Sequence, residues 1–256
     1  MTKNKKHGKE KGSTGLDLNF MDHLEELRTR IIWALVGVII GSAIASIFIN
    51  QIMEFVLLNP ASSVNLKLQN LRPFGQPFLY FKVVIVCGII ISFPFILYQL
   101  WKFIAPGLYE NERKWVSSIT FFTSLCFMIG IVFAYFLMIP SMLRFAASFG
   151  SENIMNIIDI NEYFSFITMM LLASGLLFEM PMVAYVLSRI GILSPQTMRK
   201  YRRHGIIIIL ILAAMLTPSP DPVSQLIFAV PLFGLYEISI LISGIGARKY
   251  QKTVEL

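Results

Sequence analysis

Six apolar runs, at 31–49, 83–101, 115–139, 163–187, 205–216 and 223–245, limit what this chain can fold into. The first carries no charged residue at all. At about 1.5 Å per helical residue, each of the first four covers roughly 30 Å of hydrocarbon, whereas 205–216 reaches only about 18 Å. With 55% hydrophobic residues, 14% charged and a mean hydropathy of +0.67, the 256 residues read as a polytopic membrane protein. One soluble core could not absorb so much apolar sequence.

The short fifth run joins the sixth through Thr217-Pro-Ser-Pro-Asp-Pro222, whose three prolines rule out a continuous helix. Two arrangements fit: one bent re-entrant element, or two short helices that thin the bilayer locally. The distribution of basic residues favours the second. Under six spans, Lys and Arg number seven before residue 31, three at 102–114, five at 189–203 and three in the C-terminal tail. Only Lys67, Arg72, Lys82 and Arg144 fall on the other side. Both termini are therefore expected in the cytoplasm.

The expected fold is an all-α membrane protein of six transmembrane helices, the last two short. Pro94, Pro140, Pro181 and Pro231 each remove a donor and bend a helix, so a curved, cupped arrangement is expected. Residues 1–19, with five lysines, read as a disordered basic tail, 20–245 as one transmembrane domain and 246–256 as a cytoplasmic tail. No small-residue cleavage site follows the first run, which is read as retained.

Several chemistries have no residues to support them. P-loop, H-E-x-x-H and G-x-S-x-G motifs are absent, and His7, His23 and His204 all lie outside the runs, so neither an enzyme nor a metal or other cofactor is expected. Cys87 and Cys126 sit within apolar runs and read as buried thiols. The net charge of +7 lacks the aromatic interleaving of a nucleic-acid groove.

What remains is a set of carboxylates. Asp22, Glu25 and Glu26 crowd with Arg28 and Arg30 against the start of the first run. The arginines suit a cytoplasmic membrane face, but acidic groups gain nothing there from anionic lipid. A simple account is that Glu26 pairs with Arg30 at i,i+4. Glu110 and Glu112 form a second cluster beyond the turn at Pro106-Gly107, where they would also complement a helix dipole. Because both clusters end at a span on the same side, together they form an acidic surface suited to bidentate binding of guanidinium groups. The expected ligand is an arginine-bearing peptide.

Glu179 lies deep in the fourth run, just before Pro181, and is a functional candidate by its depth. Glu237 is near enough to a span end to reach the interface, and turn chemistry accounts for Asp221. With one deep carboxylate, a small-solute or ion transporter is the weaker reading and an intramembrane enzyme the weakest.

H-L-E-E-L-R-T-R before the first run, F-P-F-I-L-Y-Q-L-W-K-F-I-A-P-G-L-Y-E-N-E-R in the first cytoplasmic loop, F-A-Y-F before Pro140, F-E-M-P around Glu179, and S-P-D-P-V-S-Q-L with A-V-P-L resemble TatC, the core component of the twin-arginine protein translocase. The resemblance runs from about Phe20 to Ile242. It implies a receptor for twin-arginine signal peptides that assembles, as an oligomeric complex, with TatA-type and TatB-type single-span partners. Folded proteins would then cross a bacterial inner membrane, in preference to a thylakoid membrane, on the proton-motive force. Carried over by position, Glu26 and Glu112 match the signal-peptide-binding carboxylates, with Arg28, Gln99, Trp101, Phe103 and Arg113 around them. Glu179 matches a polar group near which a partner helix is expected, and Pro60, Tyr135 and Asp221 match further family positions. Gln76, where relatives carry an acidic residue, and Ser219, which lengthens the proline-rich turn, depart from the pattern.

Overall fold

The computed structural model describes residues 14–62, 64, 66–104, 116–148, 157–217 and 221–254. Helix α1 spans Thr14–Ile47. A short helical segment follows, made of α2 (Ile49–Ile52), a π-helical turn (Met53–Leu58) and α3 (Asn59–Ser62). Next come β1 (Lys67–Gln69) and α4 (Gly75–Ile104). Helix α5 (Val116–Phe133) passes through a π-helical turn (Ala134–Met138) into α6 (Ile139–Ser148). After β2 (Ile157–Asp159) come α7 (Ile160–Leu177), α8 (Met180–Arg189), α9 (Pro195–Lys200), α10 (Arg202–Leu216) and α11 (Pro222–Val254).

Among the described residues, five helical stretches are long and apolar enough to cross a membrane: His23–Ile47, Gly75–Ile104, Ser117–Ser148, Ile160–Arg189 and Pro222–Lys249. Their outward faces suit that environment. On α1 alone, Ile32, Trp33, Leu35, Ile39, Ile40 and Ile47 are exposed, a stripe tolerated in lipid, where apolar side chains need no burial by protein.

Close antiparallel contacts knit the helices together. A Cβ on Gly41 of α1 would lie 2.6 Å from the Gly88 carbonyl oxygen of α4, so the two backbones touch. Phe93 of α4 stacks on Phe127 of α5, and Gly130 of α5 meets Ser174 and Gly175 of α7 in the same way. Arg202 and Gln225 bond Glu237 and the Leu210 carbonyl at 2.6 and 2.9 Å, which makes α10 and α11 a hairpin. Leu57, Leu79, Ile139, Ile167, Ala213 and Phe228 form the main core between these elements.

This topology gathers the start of α1, the end of α4, the segment 189–203 and residues 237–249 at one end of the bundle. There lie Arg28, Arg30, Lys102, Arg189, Arg199, Lys200, Arg202, Arg203, Arg248 and Lys249. The opposite end carries β1, β2 and the N-terminus of α11.

Three expectations need correction. The last helix is not short, because α11 has 33 residues and runs through Pro231 and past Ile245 to Val254. A proline inside a helix forfeits one hydrogen bond without requiring a break. The described residues are not all helical either, since β1 and β2 form a parallel pair with Leu68 opposite Ile158. So small a sheet is marginal alone, and it persists here as a clip beside the α7 cap. Nor do all four prolines act alike. Pro94 and Pro231 lie in uninterrupted helices, a π-helical turn precedes Pro140, and the helix breaks outright only before Pro181.

The expected basic tail at 1–19 falls partly on α1, which starts at Thr14, while residues 1–13 lie outside the described residues.

Candidate functional site

At the basic end, α1 and α4 bring together residues 69 positions apart. Arg30 Nη2 donates to Glu26 Oε1 at 3.2 Å, and Arg30 Nη1 donates to Gln99 Oε1 at 3.4 Å. The i,i+4 pair exists, and α4 extends it. Glu26 and Arg30 are 30% and 22% exposed, and Gln99 is buried. About one helical turn from the bridge on each helix, the His23 ring stacks on Phe103 at 4.5 Å.

Burial makes this a demanding polar site. Among the described residues, Arg30 Nε and Trp101 Nε1 are buried donors without an acceptor, a condition that costs about 1–3 kcal/mol per group in an apolar interior. Trp101 is held there by packing with Phe93, Leu97, Ile119 and Phe127. A groove of about 150 Å³ runs alongside, lined by Leu27, Ile31, Ile96, Leu100 and Phe103 as well as Arg30 and Gln99. The bond from Arg30 uses Glu26 Oε1 alone. A carboxylate has about four acceptor positions, so Glu26 can take a second guanidinium while an apolar side chain enters the groove. Arg28 and Glu25 are exposed. Glu110, Glu112, Arg113 and the Asp22 side chain lie outside the described residues.

Glu179 sits at the break between α7 and α8, where Phe178 caps the end of one helix and Met180-Pro181 opens the next. Its amide donates to the Leu176 carbonyl at 3.1 Å and its own carbonyl accepts from Val183 at 2.9 Å. The side chain is buried, and Oε1 has no hydrogen-bond partner among the described residues.

At the opposite end the residues singled out in the sequence have structural partners. Asp221 Oδ1 accepts from the Ser224 amide at 2.7 Å and so caps α11. The Tyr135 hydroxyl donates to the Phe55 carbonyl, and its ring stacks on Phe55 at 4.9 Å. Pro60 is buried in α3. Gln76 is exposed in the first turn of α4, and Ser219 lies outside the described residues.

Residues 22–231 match the family model for Sec-independent protein translocase protein (TatC). The chain belongs to the TatC family. It is 38% identical to a TatC of Carboxydothermus hydrogenoformans over 226 residues, 88% of this chain and 93% of the relative. Against TatCy of Bacillus subtilis it is 34% identical over 237 residues, 92% of each. Among solved structures, the twin-arginine translocase receptor TatC matches with a TM-score of 0.78 at 35% identity, covering 88% of this chain and 100% of that one. A second crystal structure of that receptor, in DDM, gives 0.77 at 36% identity, covering 86% and 99%. This TatC-family chain is thus a membrane-embedded component of a protein translocase.

Family membership leaves several observed contacts unforeseen. The Gln99 link to Arg30, the His23–Phe103 stack and the Asp159–Arg72 pair at 3.6 Å have no signal at fixed sequence spacing. Glu237, near a span end, pairs with Arg202 at 2.6 Å.

Proposed function

We propose that this chain is the receptor and core subunit of a twin-arginine translocase. It binds twin-arginine signal peptides at the basic end, through Glu26 and Glu112, with Arg28, Gln99, Trp101, Phe103 and Arg113 around them. The observation that supports this most is Glu26 itself, half-buried, already holding one guanidinium and bordered by an apolar groove. A signal peptide offers that site arginines followed by apolar side chains. Its arginine would share or displace Arg30, a charge-assisted exchange between like partners.

In the same proposal the basic end faces the cytoplasm and the chain crosses a bacterial inner membrane six times, in a cupped shape. Helix α10, about 22 Å long, makes its crossing by local thinning. Glu179 is the contact for a single-span partner of TatA or TatB type, within an oligomeric complex that moves folded cargo on the proton-motive force.

The test is photo-crosslinking of a twin-arginine precursor to the membrane-embedded chain. Glu26→Ala and Glu112→Ala should each weaken capture about tenfold, in line with loss of a hydrogen bond between charged groups. Undiminished crosslinking in both variants would overturn the assignment.

A further inference from the structure

A polar recess of about 470 Å³ opens at the basic end between the turn after α8 and the last part of α11. Its floor is rigid. The Ser188 and Ser243 hydroxyls share a buried hydrogen bond, and a Cβ on Gly246 would sit 2.6 Å from the Tyr185 carbonyl oxygen, so α8 and α11 are in backbone contact. Its rim is turned by Gly191, whose φ of 80° suits glycine, and by Ser194, which caps α9.

Two arginines from separate elements line this space, Arg199 from α9 and Arg248 from α11, together with Ser194 and Gln196. Among the described residues, no carboxylate lines the recess and neither guanidinium has an ion-pair partner. The acidic group on this stretch of α11, Glu237, is already engaged by Arg202. Orientation in a bilayer needs basic residues near span ends, but it does not require two of them to share a concave site. Beside the recess, Ile192 is 73% exposed and Ile245 54% exposed. Planar guanidinium forks match phosphate oxygens, and exposed isoleucines match acyl chains.

We infer that this recess binds the headgroup phosphate of an anionic phospholipid, between Arg199 and Arg248, with the acyl chains passing over Ile192 and Ile245. Basic pockets between membrane helices take such headgroups on general electrostatic grounds. Ser194 and Gln196 supply further hydrogen bonds. Bound there, the lipid ties α9 to α11 and braces the connection from α8 to α10.

Native mass spectrometry of the full chain in detergent tests this, with phosphatidylglycerol, phosphatidylcholine of the same acyl chains, and inorganic phosphate as probes. Phosphatidylglycerol should be retained roughly tenfold more tightly than phosphatidylcholine. That preference should vanish in Arg199→Gln/Arg248→Gln and survive in Lys82→Gln/Lys102→Gln, which removes the same charge elsewhere. Should the arginine variant fail to fold, Gly244→Leu gives an independent test. A Cβ there meets only Pro195 Cγ, at 3.9 Å, so the larger side chain fills the recess and should abolish the preference with both arginines present. Equal retention of the two lipids by the unaltered chain, equal loss in the lysine variant, or displacement of phosphatidylglycerol by inorganic phosphate would each overturn the inference.

Discussion

Glu179 occupies the one place where the fourth span stops being a helix. Pro181 cannot supply an amide, so the chain steps through Phe178 and Glu179 before α8 begins, and this step turns the carboxyl group inward. A buried oxygen with no partner among the described residues carries a cost of about 1–3 kcal/mol, which makes it a natural acceptor or donor for a side chain on another helix. Glu179→Ala should therefore leave precursor crosslinking intact while impairing transport of folded cargo, and Glu179→Gln, which keeps hydrogen-bonding capacity, should restore part of it. Normal transport in the alanine variant would remove Glu179 from the mechanism.

Asp159 makes a contrasting case. It lies outside the spans, and the Asn161 amide at 3.1 Å leads the contacts that hold its carboxyl below the usual carboxylate range, helped by the Asn161 side chain and Arg72. A lowered folded-state pKa gives stability that is complete above the unfolded value and is lost as pH falls through the folded one. Thermal unfolding in detergent should thus show a Tm that declines below about pH 4. Asp159→Asn should lower Tm at neutral pH and flatten that decline. An unchanged profile in the variant would show that other carboxylates carry the acid sensitivity.

At the scale of elements, the pairing of α1 with α4 depends on the absence of side chains. A Cβ on Gly88 would lie 2.7 Å from the Ser42 amide nitrogen, and backbone cannot yield as a flexible side chain can. Gly88→Val should push the helices apart, costing about 1–3 kcal/mol or more, and should loosen the Arg30–Gln99 bridge at the same time. Thermal unfolding and precursor crosslinking would check both effects. A variant with native Tm and native capture would show that α1 is free to shift. This contact has a sequence trace in Gly41 and Gly88, yet glycines in apolar runs are common, and nothing local says which two will meet. The prolines teach the same lesson. Identical residues at 94, 140, 181 and 231 give an unbroken helix, a π-helical turn, a break and an unbroken helix, so the residue type alone does not decide the outcome.

At the scale of the whole molecule, the hairpin of α10 and α11 controls the topology. If α10 returns the chain across the bilayer, Gln196 and Lys249 share a side, and Ser62 faces the other. Single-cysteine variants Gln196→Cys, Lys249→Cys and Ser62→Cys, in a chain with Cys87 and Cys126 replaced, can be probed with a membrane-impermeant maleimide. Ser62→Cys should label in intact cells, and the other two only after permeabilisation. Opposite labelling of the Gln196 and Lys249 positions would exclude six crossings.

Much of this protein was legible in its residues taken in order. Long uncharged runs imply membrane helices, and basic residues concentrated in alternate loops imply one basic end. Motifs such as H-L-E-E-L-R-T-R and F-E-M-P point to the TatC family, to which the chain belongs. These are properties of contiguous sequence, because transfer into hydrocarbon is summed over neighbouring side chains. Tertiary structure alone decided that Arg30 reaches from Glu26 to Gln99, that Arg199 and Arg248 share one recess, and that Lys67–Gln69 pairs with Ile157–Asp159. The reason is geometric. Lipid supplies no hydrophobic pull between helices, so their rotation and depth follow from close packing and a few polar contacts between distant residues, and no spacing along the chain records those.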